Sequence, residues 1–273
     1  MSRYPIVLSI AGSDSGGCAG IQADIKTISA LGCFATTAIT AITAQNTQGV
    51  QTVQGMDESL VHAQIFSIAS DMYVDAVKIG MLHDATLIQT VAETLKTLRL
   101  FPIVLDPVMV SSSGDTLLES SAVEALKKNL FPIATIVTPN LDEASFLLQR
   151  PITQRSQMKD AAKELLQYGS RYVLLKGGHL KKNTKIQDVL VSHNEVLTID
   201  NVYLNTKNTH GTGCSLSAAI ASFLALGSTV PDAVQQATQY LHSAILAGAE
   251  VQTGKGNGPV NHFFNPQPLH IIP

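Results

Sequence analysis

The sequence predicts an α/β protein with a mostly parallel central sheet covered by helices on both faces. Three observations carry that expectation. Short, β-branched, nearly all-apolar runs alternate with longer segments of helical periodicity. The runs lack the polar-out alternation of a half-exposed sheet, as strands buried on both faces should. Clusters of Gly, Asp, Asn and Lys follow the runs, at the strand exits where such sheets bind ligands.

Taken in chain order, Ile6 to Ile10 is an apolar strand, and residues 12–20 form a turn rich in Gly and Ser. Residues 20–31 place Ile21, Ile25, Ile28 and Leu31 on one helical face, and Gly32 suits the left-handed position that ends such a helix. Strands are expected at 37–43, 76–79, 103–105, 135–137 and 172–175, and helices at 59–72, 85–98, 121–130 and 157–168. Residues 186–190 and 196–199 read as a hairpin around His193 and Asn194. The last third is mainly helical, at 212–226 and 230–251. No repeat, low-complexity tract or Pro/Ser-rich linker interrupts the chain, so residues 1–273 are expected to form a single domain.

Composition narrows the function. With 45% apolar and 14% charged residues, the chain can build a deep core and carries too little charge for disorder. The net charge of −3 offers no basic excess to neutralise a phosphate backbone, and there is no Trp for base stacking, so no nucleic acid is expected as a partner. Cys18, Cys33 and Cys214 form neither a CxxC pair nor a zinc-finger spacing, which suits a reducing cytoplasm. No signal-peptide pattern opens the chain, and no run approaches the roughly 20 apolar residues that span a bilayer. A cytoplasmic protein without a membrane segment is expected.

The strongest local signal is Asn208-Thr209-His210-Gly211-Thr212-Gly213-Cys214-Ser215, followed by a helix of small residues. Glycines before a helix bare several N–H groups at its positive end, which suits a phosphate. The alternative is an ordinary glycine turn opening a buried helix. No Walker A string occurs. Cys214 stands in the first turn, where a helix N-terminus is expected to lower a thiol's pKa and let it take a proton from a hydroxyl. Its structural alternative is a buried, inert cysteine.

Other strand exits carry further candidates. Residues 11–24 follow the first strand with glycines that permit close backbone approach, but without GxGxxG spacing. Asp24 can either favour its helix N-terminus or accept a hydrogen bond from a ligand amino group. Asp106 ends a strand, and Asn140 and Glu143 flank the next exit. Together these offer hard oxygen ligands for Mg2+, while Asn140 and Glu143 also have the spacing of a helix capping box. Lys176 ends another strand and is placed either to reach a phosphate or to lie solvated. His210 stands out from the other histidines because it sits in the glycine loop. Met81 and Met109 are ordinary core candidates that could also floor a flat heterocycle.

Several strings together resemble one family. They are Ser9-Ile10-Ala11-Gly12-Ser13-Asp14, Gly20-Ile21-Gln22-Ala23-Asp24, Ala44-Gln45-Asn46-Thr47, Lys78-Ile79-Gly80-Met81-Leu82, Asp106-Pro107-Val108-Met109-Val110, Thr138-Pro139-Asn140, Lys176-Gly177-Gly178-His179, residues 205–214 and residues 254–260. The chain resembles the hydroxymethylpyrimidine/phosphomethylpyrimidine kinases of thiamine biosynthesis from about residue 6 to residue 264. The resemblance implies a ribokinase-like α/β/α sandwich. It implies a cytoplasmic transferase that uses ATP and magnesium to phosphorylate the hydroxymethyl group of an aminopyrimidine, then the resulting monophosphate. It implies an anion hole at Gly211, Thr212 and Gly213 with Cys214 as catalytic base, and an aminopyrimidine pocket of Gly12, Ala19, Asp24, Gln45, Met81 and Val108. Asn140, Lys176, Thr206, Thr209 and His210 would serve the nucleotide, and Asp106 and Glu143 the metal. A homodimer is implied as well. A pyridoxal kinase of the same branch and a binding protein that has lost catalysis are the alternatives. Residues 110–114, small and polar after a strand, are the expected lid.

Overall fold

The computed structural model describes residues 2–109, 120–178 and 185–273. The expected lid at 110–114 and His179 lie outside the described residues. The apolar runs form one nine-stranded sheet in the order β3-β2-β1-β4-β5-β6-β7-β8-β9. Its parallel part comprises β1 (Ile6–Asp14), β2 (Phe34–Asn46), β4 (Ala76–Ile79), β5 (Ile103–Leu105), β6 (Ile136–Val137) and β7 (Tyr172–Leu175). Antiparallel strands border it: β3 (Gly49–Gly55) on one side, and β8 (Lys185–Ser192) with β9 (Val196–Val202) on the other.

Side chains that alternate along the strands build two separate cores. Leu8, Ile10, Val77, Ile79, Ile103, Leu105, Val137, Val173 and Leu175 pack on one face. They meet α2 (Glu58–Ala69), α3 (Ala85–Leu98), α4 (Ser120–Ala125), α5 (Leu141–Leu147) and α6 (Met158–Leu166). Val7, Ala76, Val104, Ile136 and Leu174 face the other way, against α1 (Gly20–Ala30), α7 (Thr212–Ala225) and α8 (Val230–Gly248). In α7 the residues Ser215, Ser217, Ala218, Ala219, Ala221 and Ser222 are all buried. Their small side chains let the helix axis approach the sheet closely.

The structure corrects several boundaries. β1 continues through Gly12 to Asp14, and Ser13 pairs with Gly20, so the open loop is confined to residues 15–19. β3 was absent from the periodicity because Gln51, Thr52, Val53 and Gln54 are all exposed on an edge strand, where no apolar face is required. The expected helix at 121–130 is α4 followed by a π-turn at Leu126–Leu130 and a 3-10 turn at Phe131–Ile133. α5 is short and was visible only through its cap. β1, β4, β5, β6 and β7 all point their carboxyl ends to one edge of the sheet, and the start of α7 reaches the same edge.

Candidate active site

The start of α7 has a half-buried set of donors. Gly211 is its N-cap, with φ of 79°, and no side chain among the described residues caps the helix. A Cβ at Gly211 would run into the carbonyl oxygen of Cys18, so close approach of the two loops requires glycine here. The Ser215 hydroxyl donates to the Gly211 carbonyl (2.9 Å) and lies 3.0 Å from His262 Nε2, which fixes the turn from behind. The N–H groups of Gly213 and Cys214 find no acceptor among the described residues. No acidic residue occupies the first turn. An anion is therefore the natural partner.

Gly213 faces two charged groups. A Cβ there would lie 3.4 Å from Asp106 Oδ2 and 3.5 Å from Lys176 Nζ. Lys176 Nζ donates to Asp106 Oδ1 at 3.1 Å, as does the Thr138 hydroxyl at 3.1 Å. Asn140 and Lys176 are bridged through their strands, which brings α5 to the same spot. The capping box forms as its spacing predicts. Asn140 Oδ1 accepts from the Glu143 N–H (2.8 Å), and Glu143 Oε2 accepts from the Asn140 N–H (2.7 Å). Burial pushes the Glu143 carboxyl up to about 7, with Lys176 pulling it down and Asp106 pushing it further up. Burial opposes the Lys176 charge, yet Asp106 and Glu143 outweigh it and raise that group. Two buried carboxylates thus share one lysine, and this under-compensated acidic pair fits a hard divalent cation.

The Cys214 thiol departs from expectation. It is pushed up to about 11, because burial outweighs the pull of the Lys78 charge, and Asp24 and Asp106 add to the rise. The Gly20 N–H at the start of α1 acts in the opposite direction. Helix position alone predicted a lowered value. It failed because desolvation at the meeting of two helices exceeds the effect of their dipoles. The resting thiol is neutral.

Asp24 lies beneath this thiol and is fully buried. Its Oδ2 accepts from Lys78 Nζ (2.8 Å) and the Ser9 hydroxyl (2.6 Å), while Oδ1 has no partner among the described residues. Burial opposes the Lys78 charge, but Asp24, Cys214 and Asp106 together raise it. Lys78 was missed in the sequence. A lysine inside the otherwise apolar Ala76–Ile79 strand was the available signal, since a buried charge demands a partner.

The remaining candidates divide into groups. Gly12 lies against Met81, whose sulfur would be 3.5 Å from a Cβ at Gly12. Gln45 Nε2 is 3.1 Å from His210 Nε2. Ala19 and Gly211 are in contact through their backbones. Val108 is half-buried at the β5 exit, two residues past Asp106. His210 thus stands with Gln45 and Asp14 rather than with Lys176. Thr209 is exposed, and its carbonyl accepts from the Thr212 hydroxyl (3.0 Å). The Thr206 hydroxyl is engaged within the protein, donating to Ala249 O (2.8 Å) and accepting from the Asn208 N–H (3.1 Å).

Two structural residues were also missed. Asp14 holds the 15–19 loop, with Oδ1 accepting from the Gly16 N–H (2.8 Å) and Oδ2 from those of Cys18 (2.9 Å) and Ala19 (2.8 Å). An Asp just ahead of a Ser/Gly run was its signal. Asn208 Nδ2 donates to Gly248 O (2.6 Å) and Val251 O (2.7 Å), tying the glycine loop to the end of α8.

A family model described as phosphomethylpyrimidine kinase matches residues 14–261. The chain is 47% identical over 259 residues to a hydroxymethylpyrimidine/phosphomethylpyrimidine kinase of Rhizobium meliloti, covering 94% of this chain and 97% of that protein. It is 44% identical to a probable thiamine biosynthetic bifunctional enzyme of Oryza sativa over 96% of its own length, but spans only 48% of that protein. Among solved structures, phosphomethylpyrimidine kinase from Clostridium difficile aligns with a TM-score of 0.78 at 42% identity, covering 88% of this chain and 99% of that one. The Staphylococcus aureus pyridoxal kinase in complex with AMP-PCP and pyridoxal aligns with a TM-score of 0.87 at 31% identity, covering 96% and 95%. The sheet and its two helical layers are the expected ribokinase-like sandwich, and the chain belongs to the phosphomethylpyrimidine kinase family.

Proposed function

We propose that the chain is a kinase that transfers the γ-phosphoryl group of ATP to the hydroxymethyl group of an aminopyrimidine, and then to the monophosphate so formed. The observation that carries this is the uncapped start of α7, whose bare N–H groups lie beside the Asp106–Lys176 pair. Phosphoryl transfer needs positioning and charge stabilisation more than covalent chemistry, and these groups supply both. Asp106 and Glu143 would hold Mg2+, which when bound offsets phosphate charge. Lys176, with Asn140 beside it, serves the phosphates. The Gly213 and Cys214 N–H groups receive the moving phosphoryl.

Gln45 can donate to and accept from a pyrimidine edge, and Met81, packed against Gly12, would floor the flat ring. The Cys214 sulfur takes the hydroxyl proton as the new P–O bond forms. Its high pKa means the small thiolate fraction does this work. Residues 1–273 act as one domain, and the single continuous sheet supports that. The three free cysteines fit a cytoplasmic location, and no described helix is long and apolar enough to cross a membrane. A homodimer fits the exposed Ile42, Val53, Leu60 and Phe66 on β2, β3 and α2.

Overall shape does not choose the substrate, since pyridoxal kinases match it as well. Comparing kcat/KM for hydroxymethylpyrimidine and pyridoxal with MgATP does. A pyrimidine preference is expected. A pyridoxal value about tenfold higher, equivalent to roughly 1.4 kcal/mol in transition-state binding, overturns the assignment.

A further inference from the structure

Beside the Gln45–His210 contact, soft and hard ligand atoms of three residues converge. Asp14, Cys18 and His210 each offer one, and these atoms lie within 4.8 Å of one another. All three residues are buried, with Asp14 3% exposed, Cys18 1% and His210 6%. They come from the end of β1, the 15–19 loop that follows it and the turn before α7, and that loop and turn touch at Cys18 and Gly211.

Each residue is prepared for a cation. Asp14 accepts three backbone N–H bonds, and a carboxylate has about four acceptor sites, so one remains. His210 Nε2 lies 3.9 Å from Asp14 Oδ2 and 3.1 Å from the Gln45 amide nitrogen, with Nδ1 as the ring's other nitrogen. Nδ1 is buried and has no partner among the described residues. Burial lowers the His210 pKa against the pull of Asp14, the direction that favours the neutral, metal-binding form of the ring. The Cys18 thiol is occupied only by a weak contact to Gly16 O at 3.6 Å. In a tetrahedral zinc site, ligand atoms stand about 3.3–3.7 Å apart, so closing the cluster takes shifts of about 1 Å. Ser15 and Gly16, at the tip of the loop, are exposed and give an ion a way in.

We propose that Asp14, Cys18 and His210 form a binding site for a thiophilic divalent cation of the zinc class, clamping the two loops together. On binding, the Sγ–metal bond replaces the S–H bond and the thiol proton leaves to solvent. Nε2 exchanges the Gln45 amide for the metal, and the fourth position takes water. Gln45 thereby loses the partner that orients it. If Gln45 holds the aminopyrimidine, the ion inhibits the enzyme by weakening that contact. The binding claim stands without the kinase assignment, and only the inhibition rests on it.

The test uses the full chain and two probes, Zn2+ by titration calorimetry and Co2+ by absorbance. One Zn2+ per chain is expected, with a thiolate-to-Co2+ charge-transfer band. Both should persist in Cys214→Ala. In Cys18→Ser, which keeps the side-chain volume, the band should vanish and Zn2+ affinity fall at least about tenfold. A matching thermal melt for Cys18→Ser ensures that the loss belongs to the ligand. A band that survives in Cys18→Ser, or disappears in Cys214→Ala, overturns the site, as does the absence of Zn2+ binding. In steady-state assays with excess MgATP, Zn2+ should raise the pyrimidine KM at constant kcat. A fall in kcat at constant KM would overturn the inhibition while leaving the binding result intact.

Discussion

Helices α5 and α7 begin on the same edge of the sheet, yet their first turns are built in opposite ways. α5 closes its own N-terminus: Asn140 and Glu143 bond reciprocally, and Asp142 and Glu143 place negative charge on the turn. α7 begins at a glycine with no side-chain cap and no acid in its first turn. Both ends carry the same partial positive charge. In α5 that charge is spent on the protein's own side chains, so it stabilises the fold. In α7 it is left over, so it is available to a phosphate. The presence of a helix N-terminus says little about function. What the first turn does with its free N–H groups says much more.

The sharpest way to break this contrast is to fill the bare turn. Gly213→Val puts methyl groups beside Asp106 and Lys176, in the proposed phosphoryl position. Turnover should fall at least about a thousandfold. The same substitution should leave the far-UV spectrum native, because Gly213 does not have positive φ. Near-normal turnover would mean that α7 is no more an anion site than α5 is.

Next in size is Cys214→Ala. With the proposed proton acceptor gone, kcat should drop about a hundred- to ten-thousandfold while pyrimidine KM changes little. The wild-type pH profile sharpens this. A thiol pushed up to about 11 is mostly protonated at neutral pH, and only its thiolate can accept a proton. Below that value kcat should therefore climb about tenfold per pH unit where proton transfer limits the rate. A flat profile in wild type, matched by unchanged turnover in Cys214→Ala, would remove the sulfur from the chemistry and leave the N–H groups in place.

The smallest effect belongs to the closed helix. Asn140→Ala removes a cap and should cost about 1 kcal/mol of stability. That corresponds to a melting shift of about 2–4 °C in a chain of this size. Chemical denaturation with linear extrapolation measures it directly. No stability loss would show that the capping box is not what holds α5.

Much of this contrast was legible in the sequence, and the limits are physical. The Asn140–Glu143 spacing announced a cap, and Gly211-Thr212-Gly213 announced an uncapped start, because both depend on neighbours in the chain. The buried strands were readable for the same reason, since Ala76–Ile79, Ile103–Leu105 and Tyr172–Leu175 lie where the apolar runs do. β3 was not, because an exposed edge strand needs no hydrophobic face. Pairings across long separations were also hidden. Lys78 meets Asp24 across 54 residues, and Gln45 meets His210 across 165. The direction of the Cys214 shift failed for a related reason, since burial is a property of the assembled fold. Asp24 could be suspected as a ligand contact, but only the fold reveals that one of its oxygens is already committed to Lys78 and Ser9.

A crystal structure of the protein with the hydroxymethylpyrimidine, Mg2+ and a non-hydrolysable ATP analogue tests the role of the α7 turn most directly. The terminal phosphate should accept hydrogen bonds from the Gly213 and Cys214 N–H groups, with the substrate hydroxyl within reach of the Cys214 sulfur. A terminal phosphate seated away from Gly213, with those two N–H groups still bare, would contradict it.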